Sequence, residues 1–238
     1  DKDSIAFKYK NRQFDLGIIG EYNVENWLAA SKVSDQFNLN IEMQVIAAKS
    51  FRGIKGRMEV INKVPFLVIV DFAHNSDALE KSLISASNLR EDESKLITVF
   101  GSAGLRDVEK RFSMGVTSGK YSDITIVTAE DPRNESLYDI NSRIIEGAES
   151  VGAILIKRFN NSAEYYKFKS TFQDRGLSTK AIFAFDEPSV NARYDAIDFA
   201  ISLADKGDVV ITQGKGHELS LAFNTSEGII EYPFTDQD

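Results

Sequence analysis

Residues 65–80 read PFLVIVDFAHNSDALE: an unbroken apolar run at Phe66–Val70, a short polar loop at Asp71–Asn75, then residues with helical character from Ser76 onward. A continuous apolar run of about five residues reads as a strand buried on both faces, and Asn75 or Ser76 supplies the side-chain oxygen that caps a helix. This strand, loop and helix form one half of a βαβ unit, and the rest of the chain repeats the alternation. Strands are expected at Met58–Ile61, Phe66–Val70, Lys95–Phe100, Ile124–Val127, Ala153–Ile156, Ala181–Phe185 and Val209–Thr212. Helices are expected at Ser76–Leu89, Val108–Lys120, Ser136–Ala148, Ser162–Phe172 and Ser189–Leu203. Such alternation defines an α/β protein whose mostly parallel sheet carries helices on both faces. Gly228–Phe234 reads as a closing strand.

The first fifty residues differ. Ser4–Lys10 and Phe14–Ile19 alternate like two short strands around a turn at Asn11-Arg12-Gln13. A helix follows, started by Gly20 and Asn23, with Val24, Trp27, Leu28, Ser31 and Phe37 near one face, and a second helix spans Ile41–Lys49. Gly53 and Gly56 mark a linker to the larger unit.

With 238 residues, 42% hydrophobic and 27% charged, the chain has enough material for one or two domains with sizeable cores. A net charge of −8 without a basic block argues against a nucleic-acid or anionic-membrane surface. Small anions remain accessible to locally focused cations. The absence of cysteine excludes disulfides and thiolate chemistry and fits the cytoplasm. The longest apolar run, Val64–Val70, is far below the roughly 18 residues of a membrane span, and no signal peptide is visible.

In an open α/β sheet, ligands bind beyond the carboxyl ends of the strands. Four loops there carry charged or glycine residues. The first, after Val70, holds Asp71 and His74. The second, Gly101-Ser102-Ala103-Gly104-Leu105-Arg106-Asp107, lets backbone amides approach an anion at a helix N-terminus, with Lys110 and Arg111 read as a solvated helix face. The third, Glu130-Asp131-Pro132-Arg133, offers either an arginine fork for a carboxylate or a turn closed by its own Asp–Arg pair. The fourth, Gln213-Gly214-Lys215-Gly216-His217-Glu218, flanks a lysine with glycines that permit close backbone approach. It is not a Walker A loop. Both histidines of the chain, His74 and His217, fall in these loops, but they lack the local spacing of a metal site, and no metal ligands are assigned.

In this order, Gly20-Glu21-Tyr22-Asn23 with Asn26, Gly56-Arg57-Met58-Glu59, Asp71-Phe72-Ala73-His74, Asp131-Pro132-Arg133 and Gly214-Lys215-Gly216-His217-Glu218 resemble segments of the Mur ligases. The resemblance is closest to the UDP-N-acetylmuramoyl-dipeptide ligases that attach the third amino acid of the peptidoglycan stem. It implies a Rossmann-like C-terminal domain at 54–238, preceded at 1–53 by the end of the central ATP-binding domain. It also implies ATP and Mg2+ as reactants, a UDP-linked muramoyl peptide and an amino acid as partners, and an acyl phosphate intermediate. By resemblance, Asn26, Arg57, Asp71 and His74 address ATP. Arg106, Glu130, Asp131, Arg133, Gly214, Lys215, His217 and Glu218 address the incoming amino acid, of the meso-diaminopimelate or lysine type.

Two departures stand out. Family members that add meso-diaminopimelate usually read Asp-Asn-Pro-Arg where this chain has Glu130-Asp131-Pro132-Arg133, and Ser102-Ala103-Gly104-Leu105 is less glycine-rich than its counterpart. The family's P-loop, magnesium ligands and UDP-binding domain have no counterpart in these residues, so the chain reads as a C-terminal portion, inactive alone. A folylpolyglutamate-type ligase domain and a standalone amino-acid or nucleotide-binding module are the alternatives.

Overall fold

The computed structural model describes residues 4–172, 177 and 180–237. The chain opens with an antiparallel hairpin, β1 (Ile5–Tyr9) and β2 (Arg12–Leu16). Lys10 and Asn11 both take positive φ, +46° and +59°. Two left-handed residues close a hairpin whose twist matches its strands. The second strand therefore starts at Arg12, not at Phe14 as the alternation suggested. Helices α1 (Tyr22–Gln36) and α2 (Ile41–Ser50) pack on it around buried Phe14, Leu16 and Ala48. The Phe14 and Trp27 rings lie 4.1 Å apart. Glu21, rather than Gly20 or Asn23, occupies the cap of α1, and Asn23 donates back to the Ile19 carbonyl. Phe37 does not join the apolar face: α1 has ended at Gln36, and left-handed Asn38 turns the chain away, leaving Phe37 exposed.

The larger unit runs β3 (Glu59–Asn62), β4 (Leu67–Val70), α3 (Ser76–Ser87), β5 (Leu96–Phe100), α4 (Glu109–Tyr121), β6 (Ile124–Val127), α5 (Leu137–Glu149), β7 (Ile154–Phe159), α6 (Ser162–Lys169), β8 (Ala181–Phe185), α7 (Asn191–Leu203) and β9 (Val209–Thr212). Among the described residues these strands form one sheet in the order β3-β4-β9-β5-β6-β8-β7. Edge strand β3 is antiparallel to β4, and every other pairing is parallel. The sheet is covered on both sides, as the apolar runs required. One core packs α3, α4 and α5 through Leu79, Leu83, Met114, Ile140 and Ile144; the other packs α6 and α7 through Tyr165, Ala196 and Phe199. Asn75 caps α3 by accepting from the Ala78 amide at 2.9 Å.

The C-terminal expectation needs correction. Residues 228–233 form β11 (Gly228–Pro233), but it pairs with β10 (Ser220–Thr225) in a separate antiparallel hairpin and does not close the main sheet. The hairpin instead docks on the loop after β6, where the Arg133 amide donates to the Ala222 carbonyl and Asn224 donates to Arg133. Because β9 is threaded between β4 and β5, the loops after β4, β9, β5 and β6 stand side by side along one sheet edge.

Candidate functional site

Two clusters occupy that edge. The first is a cleft of about 460 Å³ between the N-terminal helices and the loop after β4, lined by Tyr22, Asn26, Arg57, Asp71, Phe72 and His74 among others. Phe72 is its hub. The Arg57 guanidinium lies 4.1 Å from the centre of the Phe72 ring, and the His74 and His217 rings each lie 5.1 Å from it. A cation over an aromatic face is held in place by the ring quadrupole while its donors stay free. Asp71 anchors the loop: its carboxylate accepts the Met58 amide at 3.0 Å and the Ala73 amide at 3.1 Å. Burial still raises its pKa above the usual carboxylate value, and burial likewise raises that of the Tyr22 phenol. Asn26 donates to Asn23 at 3.0 Å and also lines a larger apolar groove between α1 and α2.

Linker residues Gly53 and Gly56 have φ of +91° and +68°, a region that favours glycine. A side chain at Gly56 would overlap the backbone of Gly216 and His217. The His217 ring packs beside Phe72, while Lys215, two residues before it, turns to Asp131 and Glu218.

Lys215 heads the second cluster. It is 1% exposed, and its ammonium bonds Asp131 at 2.9 Å and Glu218 at 2.7 Å. Asp131 also accepts the Ala222 amide at 2.9 Å, so the turn is not closed by an internal Asp–Arg pair. Arg133 donates instead to the Gly104 carbonyl at 2.6 Å, joining the loops after β5 and β6. Glu130 is buried against Gly214, whose missing Cβ would lie 2.9 Å from a Glu130 carboxylate oxygen. That oxygen, Oε2, has no hydrogen-bond partner among the described residues. Burial pushes the Glu130 carboxyl up to about 7, against the opposing pull of Lys110, Arg193 and Lys215. A buried carboxyl poised near neutrality with an open acceptor beside ionised partners is the kind of group found in binding and catalytic sites.

Arg106 stands exposed on the loop after β5, apart from the buried cluster. Its neighbour by sequence, Arg111, is not a solvated helix residue: it is 4% exposed, pairs with Glu135 at 2.8 Å and donates to the Ala103 carbonyl. Lys110 bonds the His74 carbonyl at 2.8 Å, tying α4 to the first loop. Sequence reasoning also missed Arg193, whose guanidinium is fully buried behind the loops after β6 and β9. The signal was present: Ala192, Ala196, Phe199, Ala200 and Leu203 make an apolar helix face on which Arg193 falls. Among the described residues, no group of three or more His, Asp or Glu side chains is arranged to hold a metal ion, and no helix is long and apolar enough to cross a membrane.

A doubly covered, mostly parallel sheet with two polar clusters at the carboxyl ends of its strands defines an α/β ligand-binding domain. Residues 56–216 match the Mur ligase, glutamate ligase domain, and the chain belongs to the Mur ligase family. It is 36% identical over 212 residues to the UDP-N-acetylmuramyl-tripeptide synthetase of Roseiflexus sp. (strain RS-1), covering 89% of this chain and 36% of that protein. It is 32% identical over 232 residues to the UDP-N-acetylmuramoyl-L-alanyl-D-glutamate–2,6-diaminopimelate ligase of Aquifex aeolicus (strain VF5), covering 98% of this chain and 40% of that protein. A solved structure of a ligase of the latter name superposes with a TM-score of 0.57 at 25% identity, over 98% of this chain and 40% of the other. The bifunctional folylpolyglutamate synthase/dihydrofolate synthase of Yersinia pestis CO92 shares the fold, with a TM-score of 0.56 at 18% identity over 89% of this chain and 41% of that one. The chain thus spans about two fifths of the length of these relatives.

Proposed function

We propose that this chain is the C-terminal portion of an ATP-dependent ligase that joins an amino acid of the meso-diaminopimelate or lysine type to UDP-N-acetylmuramoyl-dipeptide. Residues 1–53 belong in this reading to the end of the central ATP-binding domain, and 54–238 are the domain that closes over the site. The observation that carries it is the pairing of two unlike clusters on adjacent strand ends: one aromatic and cationic around Phe72 and Arg57, one zwitterionic around Glu130, Lys215 and Arg133. The first suits a nucleoside polyphosphate and the second an amino acid.

In the reaction, a substrate carboxylate takes the γ-phosphoryl group of ATP, and the amino group of the incoming amino acid then displaces phosphate to leave an amide. Arg57 addresses the phosphates, with Asn26 towards the base and Asp71 and His74 beside the ribose. Arg133 receives a carboxylate of the amino acid. Glu130, Asp131 and Glu218 face its ammonium groups, Gly214 allows its close approach, and Lys215 and Arg106 balance charge. In this reading Mg2+ is held by other parts of the ligase; among the described residues no group of three or more His, Asp or Glu side chains is arranged to hold it.

The test is amino-acid-dependent phosphate release by the ligase containing this chain, with ATP and UDP-N-acetylmuramoyl-dipeptide. Release with meso-diaminopimelate or lysine is expected, and Arg133→Glu should abolish capture of a diacidic amino acid while ATP binding persists. Release dependent on glutamate and a folate acceptor would move the chain to the folylpolyglutamate type. Binding without turnover in any combination would leave a ligand-binding module.

A further inference from the structure

Arg193 lies on α7 and is fully buried, and it does not line the Phe72 cleft. Its guanidinium makes four hydrogen bonds. Nε and Nη2 form a fork to the Asp236 carboxylate, at 2.7 and 2.5 Å. Nη1 donates to the Ala129 carbonyl at 3.1 Å, and Nη2 donates to the Gln213 carbonyl at 2.9 Å. Those two carbonyls immediately precede Glu130 and Gly214, the residues in contact across the second cluster.

Packing alone does not require an arginine here. Replacing a buried ion pair with apolar residues of similar volume is often neutral or stabilising. An apolar side chain, however, has nothing to offer two loop carbonyls. The planar guanidinium fixes both donor directions at once, which a flexible ammonium cannot do. Asp236 in turn belongs to a strap. Phe234, 3% exposed, donates its amide to the Leu219 carbonyl at 2.9 Å and packs at a tilt against Tyr194, with ring centres 4.8 Å apart. Gln237 donates to Glu59 at 2.7 Å, and the same Glu59 oxygen accepts the Gly56 amide at 2.8 Å. The C-terminal segment thus links Arg193 to the glycine linker and the Phe72 cleft.

We infer that Arg193 is a positioning residue that sets the spacing between the Glu130–Arg133 and Gly214–Glu218 loops, with Asp236 and the strap around it holding its guanidinium in register. The inference rests on the assignment of these loops to the amino acid under Proposed function. Arg193 acts through their backbones and does not touch the substrate.

The variant is Arg193→Lys, which keeps the charge and loses the fork. Two readouts apply. Hydrogen exchange on the 238-residue chain follows the Arg133 and Glu218 amides, bonded to Ala222 and Lys215, with the amides of β5 and β6 as internal controls. The loop amides should exchange roughly 10-fold faster or more while the strands are unchanged. In the ligase containing this chain, KM for the amino acid should rise roughly 10- to 100-fold, with KM for ATP moving less than about twofold.

Unchanged loop exchange in folded Arg193→Lys overturns the inference. So does a uniform loss of protection with both KM values rising together, which is the signature of a purely structural residue. If the lysine variant does not fold, Asp236→Asn leaves the guanidinium in place without the charge that aims it, and is judged by the same two readouts with smaller changes. A wild-type ligase indifferent to every amino acid refutes the assignment of the loops, whereas the exchange measurement still decides whether Arg193 sets their spacing.

Discussion

A Cβ placed on Gly56 would lie 2.2 Å from the backbone nitrogen of His217, so the linker entering β3 and the loop leaving β9 are in direct backbone contact. Gly56 also sits at φ +68°. Gly56→Ala adds a left-handed penalty of about 1–2 kcal/mol to a collision that only backbone movement relieves. We expect a lower melting temperature and weaker ATP binding, since Arg57 and His217 must separate. A nucleotide titration that leaves the affinity unchanged would show that the contact does not shape the cleft.

Glu130 gives a pH signature. Its carboxyl is raised to about 7 by burial, so between its ordinary value of 4.5 and about 7 the folded chain holds a proton that the unfolded chain has released. The stabilisation is complete below pH 4.5, is lost as pH rises through that window, and amounts to a loss on the order of 3 kcal/mol above it. Glu130→Gln should flatten this part of the stability profile. If the carboxylate receives an ammonium, amino-acid affinity of the wild type should also increase from pH 6 to pH 8, and the glutamine variant should lose that slope; calorimetry across this range measures both.

Asp131→Asn tests the buried lysine. The amide keeps the oxygen that accepts from Ala222 but loses the charge facing Lys215, which retains Glu218 at 2.7 Å. The expected cost is about 1–3 kcal/mol in denaturant unfolding. An unchanged midpoint would mean that Glu218 alone neutralises Lys215.

Phe72→Leu removes the ring under Arg57 but keeps an apolar side chain. Losing the cation–ring contact should weaken ATP binding roughly 2- to 5-fold. Amino-acid binding should weaken less, because Phe72 meets the Gly214–Glu218 loop only at Gly216 and His217, while Lys215 keeps its bonds to Asp131 and Glu218. Equal weakening of both ligands would contradict the separation of the two clusters.

Asn75→Ala should lower stability by about 1 kcal/mol through loss of the α3 cap. A thermal melt of the variant reads it directly, and no change would mean that Ser76 takes over the cap. This cap was legible in the sequence because an Asn-Ser pair directly after an apolar run has local causes and local effects.

The same locality explains what else was readable. The strands at Ile124–Val127, Ala181–Phe185 and Val209–Thr212 were placed to the residue, since runs buried on both faces leave little ambiguity. Strand β10 was missed because SLAFNT pairs with a neighbour beyond a two-residue turn and docks on Arg133, a relationship 90 residues away in the chain. The loops bearing the candidate residues were legible from their position after strands, but their internal partnerships were not. Asp131 selects Lys215 rather than Arg133, and His217 turns from Lys215 towards Phe72, because β9 is inserted between β4 and β5. Periodicity carries no information about that insertion. Arg193 was overlooked for a different reason: nothing in the helix expected at Ser189–Leu203 set its charge apart, and the partner that its burial demands lies 43 residues further on.

The partner arrives late. Asp236 follows Arg193 by 43 residues, which at ribosomal elongation rates is a delay of roughly 2 to 9 seconds. During that interval α7 carries an uncompensated cation, and β9, the strand that fills the middle of the sheet, is still being made. The Arg193 pair therefore ties the burial of α7 to residues made after β9: a chain that has not yet reached Asp236 cannot bury α7 without stranding a charge.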